Sequence, residues 1–112
     1  MVKIEAVIKP HKLDAVKEAL VRIGVAGMTV SEVRGFGKQK GHEDVAADSL
    51  TIEFLPKLKI EIVCPDDQKD RILDAIARAA KTGKIGDGKI FVSPVLDALR
   101  IRTNDKGENA VR

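Results

Sequence analysis

The succession of strand-like and helix-like segments predicts an α+β, ferredoxin-like (βαββαβ) fold. That is a four-stranded antiparallel sheet with two helices on one face and a long loop between strands 2 and 3. Three observations carry the prediction. The chain nearly repeats itself: Lys3-Ile4-Glu5-Ala6-Val7 returns as Lys59-Ile60-Glu61-Ile62-Val63. Each copy is followed by a proline, Pro10 or Pro65, and then by apolar residues at helical spacing. Each helical stretch is followed by a second strand-like run.

In chain order, Val2 to Lys9 reads as the first strand. Leu13, Val16, Leu20 and Ile23 recur at helical spacing and end at Gly24. Met28 to Phe36, with β-branched Thr29, Val30 and Val33, reads as the second strand. The connector from Gly37 to about Leu50 is too long and too polar for a tight hairpin, and long structureless loops in compact domains are usually functional or mobile. In the second half, Asp66 or Asp67 can cap a helix whose apolar face is Ile72, Leu73, Ile76 and Ala80 and which fades at Gly83. Lys89 to Val92 is strand-like. The segment from Leu96 to Arg112 is charged; Arg100-Ile101-Arg102 alternates like a short strand, and Asp105 to Arg112 reads as loose.

Composition narrows the function. At 112 residues the chain reads as one domain, 1–112, with a core that oligomerisation would help to stabilise. The net charge of +3, from 20 basic and 17 acidic residues interleaved, is too mild to predict nucleic-acid binding. Three Phe with no Tyr or Trp give little for bases to stack on. Cys64 is the only cysteine, which excludes an internal disulfide and a cysteine-based zinc site; its apolar surroundings predict a buried structural thiol. His11, at a helix start, reads as a surface residue, and His42 has no second histidine or cysteine nearby to make a metal site. Without an apolar leader or a membrane-length apolar run, the expectation is a soluble cytoplasmic protein.

The most informative stretch is Thr82 to Phe91. It places three glycines and two lysines within the eight residues from Gly83 to Ile90. Glycines let backbone N–H groups approach a ligand, and lysines supply positive charge, which is the chemistry of a phosphate cradle. A second such segment is Arg34-Gly35-Phe36-Gly37-Lys38-Gln39-Lys40-Gly41. Brought together, the two would bind an anion; on spacing alone, the first is equally a flexible turn into a strand. Neither is a Walker A loop, because the glycine spacing and the Lys-Ser/Thr pair are missing.

These residues resemble the PII nitrogen-regulatory signal proteins over nearly the whole chain. The resemblance rests on Lys9-Pro10-x-Lys12-Leu13, Gly27-Met28-Thr29-Val30 and Gly35-Phe36-Gly37-Lys38-Gln39-Lys40-Gly41-His42. It rests further on Phe54-Leu55-Pro56-Lys57-x-Lys59-Ile60-Glu61 and on Thr82-x-x-x-Gly86-Asp87-Gly88-Lys89-Ile90-Phe91-Val92, all in the family's order. It implies a homotrimer with nucleotide sites between subunits, where ATP and ADP compete and 2-oxoglutarate binds beside Mg-ATP. It implies a non-enzymatic regulator of nitrogen metabolism that acts through the shape of its long loop.

Residue roles follow by motif match. Nucleotide binding falls to Thr29, Gly35, Phe36, Gly37, Lys38, Gln39, Glu61, Val63, Gly86, Asp87, Gly88, Lys89, Arg100 and Arg102. Within that set, the Gly86-Asp87-Gly88 backbone and Lys89 would hold phosphates, and Thr29, Glu61 and Val63 would line the ribose and adenine. Arg100 and Arg102, on one face of a strand, would clamp phosphates from a neighbouring subunit. Gln39 would ligate Mg²⁺ through its side-chain oxygen, which suits a hard cation. Gly37, Gln39, Lys40, Gly41 and Lys57 would bind 2-oxoglutarate, Lys57 pairing with its distal carboxylate. Lys38 stands where the family often has Arg, and lacks the planar fork.

The chain departs from the family in the loop, 37–53, that docks partners. It has no Tyr anywhere, so nucleotidylation of a loop tyrosine is excluded. Ser49 lies near a serine that some members phosphorylate, but reads here as an ordinary loop serine. The 43–53 stretch has no Arg or Lys and carries Glu43, Asp44 and Asp48, which suit a partner with a basic surface. The partner's identity is not written in the sequence. The alternative reading is therefore a divergent PII paralogue that senses adenine nucleotides and regulates a transporter or another partner outside nitrogen control. An RNA-binding module of the same strand order lacks aromatics in Lys3 to Val7 and Lys59 to Val63. A phosphotransferase would need a nucleophile such as His near Gly86-Asp87-Gly88, and neither His adjoins it in sequence. In a pull-down, this chain is expected to capture an ammonium channel weakly or not at all; ADP-dependent capture would overturn that.

Overall fold

The structure is a computed structural model that describes residues 1–36 and 53–112. Strand β1 (Val2–Ile8) leads through a single 3₁₀ turn (Pro10–Lys12) to helix α1 (Leu13–Arg22) and strand β2 (Thr29–Gly35). Strand β3 (Leu55–Cys64), a 3₁₀ turn (Asp66–Gln68), helix α2 (Lys69–Ala80) and strand β4 (Lys89–Pro94) repeat the pattern. The strands form one antiparallel sheet in the order β2-β3-β1-β4. This is the ferredoxin-like arrangement expected from the sequence.

The internal repeat turns out to be a strand pairing. Lys3 to Val7 lies antiparallel against Lys59 to Val63, with Glu5 directly opposite Glu61, Ile4 opposite Ile62 and Ala6 opposite Ile60. Side chains alternate across a strand. One set, Ile4, Ala6 and Ile8 of β1 with Ile60, Ile62 and Cys64 of β3, is buried with Val16 and Leu20 of α1 and Ile72, Ile76 and Ala80 of α2. The other set carries charge on the helix-free face. Two glutamates directly opposite each other would repel. The lysine two residues before each glutamate removes the conflict: Lys3 Nζ lies 2.7 Å from Glu5 and 3.6 Å from Glu61, and Lys59 Nζ lies 3.6 Å from Glu61.

Helix α1 stops at a Schellman motif. Gly24, at φ +88°, donates its N–H to Val21 O at 3.0 Å, and Val25 N–H bonds Leu20 O at 3.0 Å. Arg71 adds a guanidinium on Ile23 O at 2.9 Å. The start of α2 differs from expectation. Neither Asp66 nor Asp67 caps it; Pro65 instead opens a 3₁₀ turn, with Gln68 N–H bonded to Pro65 O at 3.1 Å. Asp66 pairs with the Met1 amino group at 3.1 Å, and Asp67 lies 4.0 Å from Arg112.

The C-terminal segment also differs. Arg100, Ile101 and Arg102 do not form a strand: residues 101–103 are a turn, and Asp105 to Arg112 folds back through a 3₁₀ turn at Gly107–Ala110. Asn104 takes the left-handed φ of +62° that this reversal needs, a conformation asparagine tolerates. Among the described residues no helix is long and apolar enough to cross a membrane.

The loop from 81 to 88 returns the chain onto the sheet so closely that a Cβ at Gly88, φ +102°, would sit 1.7 Å from Val7 O. Gly83, φ +83°, has nothing within 4 Å of such a Cβ. Gly83→Ala is therefore expected to lose only the backbone penalty of about 1–2 kcal/mol. Gly88→Ala should lose that and the clash, more than about 3 kcal/mol in total, as read from urea denaturation midpoints.

Candidate functional site

The site is built where the loop between α2 and β4 meets the ends of β1 and β3. Helix α2 ends at Ala80 because Lys81 turns extended (φ −71°, ψ 130°), three residues before the glycine expected to stop it. That turn swings Thr82 back onto Asp87. The Asp87 carboxylate accepts the N–H groups of Thr82 and Gly83, both at 2.8 Å, and the Thr82 hydroxyl. Lys9 Nζ sits 3.2 Å from the same carboxylate and 3.1 Å from Thr82 Oγ1, which also accepts Lys84 N–H at 3.2 Å. These bonds, led by the Thr82 hydroxyl, hold the Asp87 carboxyl below the usual carboxylate range. Four donors fill the acceptor sites of one carboxylate. Asp87 is thus a strut that shapes the loop, and its side chain has no capacity left for a ligand.

Lys57 is the one buried cationic side chain among the described residues, 7% exposed. It lies on the helix-free face of β3 and donates from Nζ to Gly86 O at 2.8 Å. Burial, followed by the nearby Lys9 charge, pushes its pKa down, partly offset by Asp87. An isolated buried ammonium is costly. Of its three donors, one meets the Gly86 carbonyl among the described residues, a donor set chemically suited to an anion.

Gly86 to Lys89, Lys57, Lys84, Val7, Gly35, Phe36, Ile85 and Phe91 enclose a cleft of about 840 Å³, large enough for a small-molecule ligand. Lys57, Lys84 and Lys89 line it with positive charge while Asp87 is spent on its neighbours. At the cleft's edge the last β2–β3 pair is Gly35 with Leu55, and beyond it Phe36 and Phe54 pack edge to face, centroids 5.1 Å apart at 89°. This pair holds together the two chain ends that flank residues 37–52, and Phe36 also lines the cleft.

The residues named from the sequence fall into separate groups. Gly35, Phe36, Lys57, Gly86, Asp87, Gly88 and Lys89 meet at the cleft. Thr29 and Glu61 are cross-strand partners, and Val63 lies beyond them, at the far end of the sheet. Lys57 and Val63 are six residues apart in one strand, roughly 20 Å. Arg100 and Arg102 are on the C-terminal segment, and neither lines the cleft. Gly37, Lys38, Gln39, Lys40, Gly41, His42 and Ser49 lie outside the described residues. His11 is exposed in the turn before α1, and Cys64 is buried, 2% exposed, as expected.

Sequence reasoning left Lys9 and Thr82 without roles, yet both carry the loop. Lys9 follows Lys3, Glu5 and Val7 at a period of two, so it was recognisable as a residue of the open face. The partnership of Thr82 with Asp87 depends on the extended Lys81 and carries no local signal. At Gly88 the missing side chain has a further reason that the sequence does not give: β1 lies where a Cβ would stand.

Comparison with known proteins agrees with the fold. A family model described as "Nitrogen regulatory protein P-II" matches residues 1–105. The chain is 59% identical over 112 residues to the nitrogen regulatory protein P-II of Nostoc punctiforme, covering 99% of this chain and 100% of that protein. It is 55% identical to nitrogen regulatory protein P-II 1 of Escherichia coli K12, with the same coverage. Among solved structures it is similar to Arabidopsis thaliana PII bound to citrate, with a TM-score of 0.82 and 42% identity, covering 99% of this chain and 89% of that one.

Because the Asp87 carboxyl is more acidic folded than unfolded, its contribution to stability is present above the ordinary value of about pH 4 and lost as pH falls below it. Asp87→Asn is expected to be less stable than the parent at pH 7, with the difference shrinking toward pH 2.5. Urea midpoints measured across that range check it.

Proposed function

This chain belongs to the nitrogen regulatory protein P-II family, and on that premise we propose that it is a non-enzymatic sensor of adenine nucleotides and 2-oxoglutarate that regulates nitrogen-metabolism partners. ATP and ADP would compete for one site. The observation that supports this best is the buried Lys57 ammonium in a cleft lined by lysines, with the Asp87 carboxylate beside it already saturated. Such a donor set fits phosphate and carboxylate ligands. Gly86 to Lys89 would cradle phosphates. Lys57 would take the distal carboxylate of 2-oxoglutarate, completing the charge balance its burial leaves open. Gln39 would supply an oxygen to Mg²⁺ bound with ATP, the ion neutralising phosphate charge. The citrate recorded with the Arabidopsis relative is also a polycarboxylate, which accords with a carboxylate ligand here.

The division of the site residues supports a homotrimer. Thr29, Glu61 and Val63 are too far along the sheet to share a ligand with the cleft of their own subunit, and Arg100 and Arg102 stand apart from it. A nucleotide between two copies would reach the cleft of one and the remaining groups of the other. Ligand in the cleft would touch Phe36 and so bias the chain at the base of the 37–53 loop toward one conformation, which is the physical requirement for a signal. An acidic loop suits a partner with a basic surface, including a membrane transporter that presents one.

The test is calorimetric titration of 2-oxoglutarate into the protein with Mg-ATP, with ADP and without nucleotide. Binding is expected only with Mg-ATP, and Lys57→Met should weaken it by roughly tenfold or more while ADP still binds. Nucleotide binding with no 2-oxoglutarate response would leave an energy sensor of the divergent kind.

A further inference from the structure

The C-terminal segment is a hook closed around one guanidinium. Leu99 bridges Lys106, Arg100 N–H bonds Asp105 O at 2.9 Å, Asn104 N–H bonds Arg100 O at 2.8 Å, and Gly107 N–H bonds Ala98 O at 2.9 Å. Inside it, Arg100 Nη1 donates to Asp105 Oδ2 at 3.3 Å, and Nη2 donates to the carbonyls of Ala110 and Arg112, each at 3.3 Å. Asp105 is itself steadied by the Thr103 hydroxyl, 2.8 Å from the same Oδ2, and by its own N–H on Thr103 Oγ1 at 3.3 Å. Arg112 reaches Glu108 at 3.5 Å, closing the end of the hook. Arg102, two residues on, is exposed and has no such tether among the described residues.

We propose that Asp105 is a positioning residue for Arg100: with the carbonyls of the C-terminal hook it presents a pre-oriented guanidinium to a nucleotide phosphate, so residues 103–112 set nucleotide affinity without touching the ligand. This rests on the reading of Arg100 as a phosphate clamp. A guanidinium has five N–H groups in a fixed plane. The three engaged by the hook fix that plane, and Nε–H and the second Nη1–H keep defined directions, each for a single charge-assisted bond to a phosphate oxygen. A side chain ordered before the ligand arrives does not pay its rotamer entropy on binding. The two arginines therefore divide the work, Arg100 rigid and Arg102 adaptable. The opposite sign is equally concrete: if Asp105 competed with phosphate for Arg100, its removal would tighten binding.

The test is calorimetry of ADP and Mg-ATP with the full chain and with Asp105→Ala, Asp105→Glu, Arg100→Ala and the Asp105→Ala/Arg100→Ala double variant, with thermal unfolding recorded for each. Asp105→Ala is expected to weaken both nucleotides about tenfold, with Asp105→Glu recovering part of the loss. In the double variant the loss should be no greater than in Arg100→Ala alone, because the Asp105 effect passes through Arg100. Unchanged or tighter binding by Asp105→Ala, or losses that add in the double variant, would overturn the proposal. Arg100→Ala binding like the parent would also overturn it and leave the sensor reading intact. A parent protein that binds no nucleotide would overturn both.

Discussion

The Asp87 carboxylate is the interaction on which the site depends. Two backbone N–H groups, a hydroxyl and the Lys9 ammonium converge on it. The result is a loop whose path is set before any ligand is present. With Asp87 satisfied in this way, Gly86 O is delivered to Lys57 and Gly88 is laid against β1. A loop of glycines and lysines without such a strut would be a flexible turn, the other reading its composition allows. One anion inside the protein thus organises a cleft lined with cations.

The sheet poses the complementary problem of placing charge on a face that also builds the fold. Pairing two copies of one pattern antiparallel brings Glu5 against Glu61, and only the lysine two positions earlier in each copy makes that pairing favourable. The buried face is fixed by aliphatic side chains and the Cys64 thiol. The open face carries ion pairs among Lys3, Glu5, Lys59 and Glu61, with Lys57 and Lys9 toward its other end. Burying Lys57 there opposes its own charge, which is the local instability a bound carboxylate would relieve.

Much of this was legible in the chain. The strand order followed from the repeat and from two helical periodicities, each a local pattern with one physical meaning. Gly86 to Lys89 stand out by their own glycines and lysines, Lys57 only by motif resemblance, and the fold brings them together. What escaped depends on contacts between distant residues. The start of α2 is governed by Pro65 and by partners that draw Asp66 and Asp67 away from capping. The C-terminal residues are polar and would be loose on composition, yet one guanidinium with three acceptors folds them. Lys9 and Thr82 act through an aspartate many residues away or across a turn, and no spacing announces that.

Gly88 has a consequence for how relatives of this chain should be read. Any side chain there would enter the space of the Val7 carbonyl, so every single substitution at that codon is opposed by the sheet itself. A descendant that had abandoned its ligand would still keep this glycine. Its presence testifies to an intact fold and says nothing about what the fold recognises. The informative losses are those the architecture would tolerate: Lys84 and Lys89 are exposed, and no strand pairing depends on their charge. A lineage in which those two have drifted while Gly88 persists would be one that kept the body and changed its message.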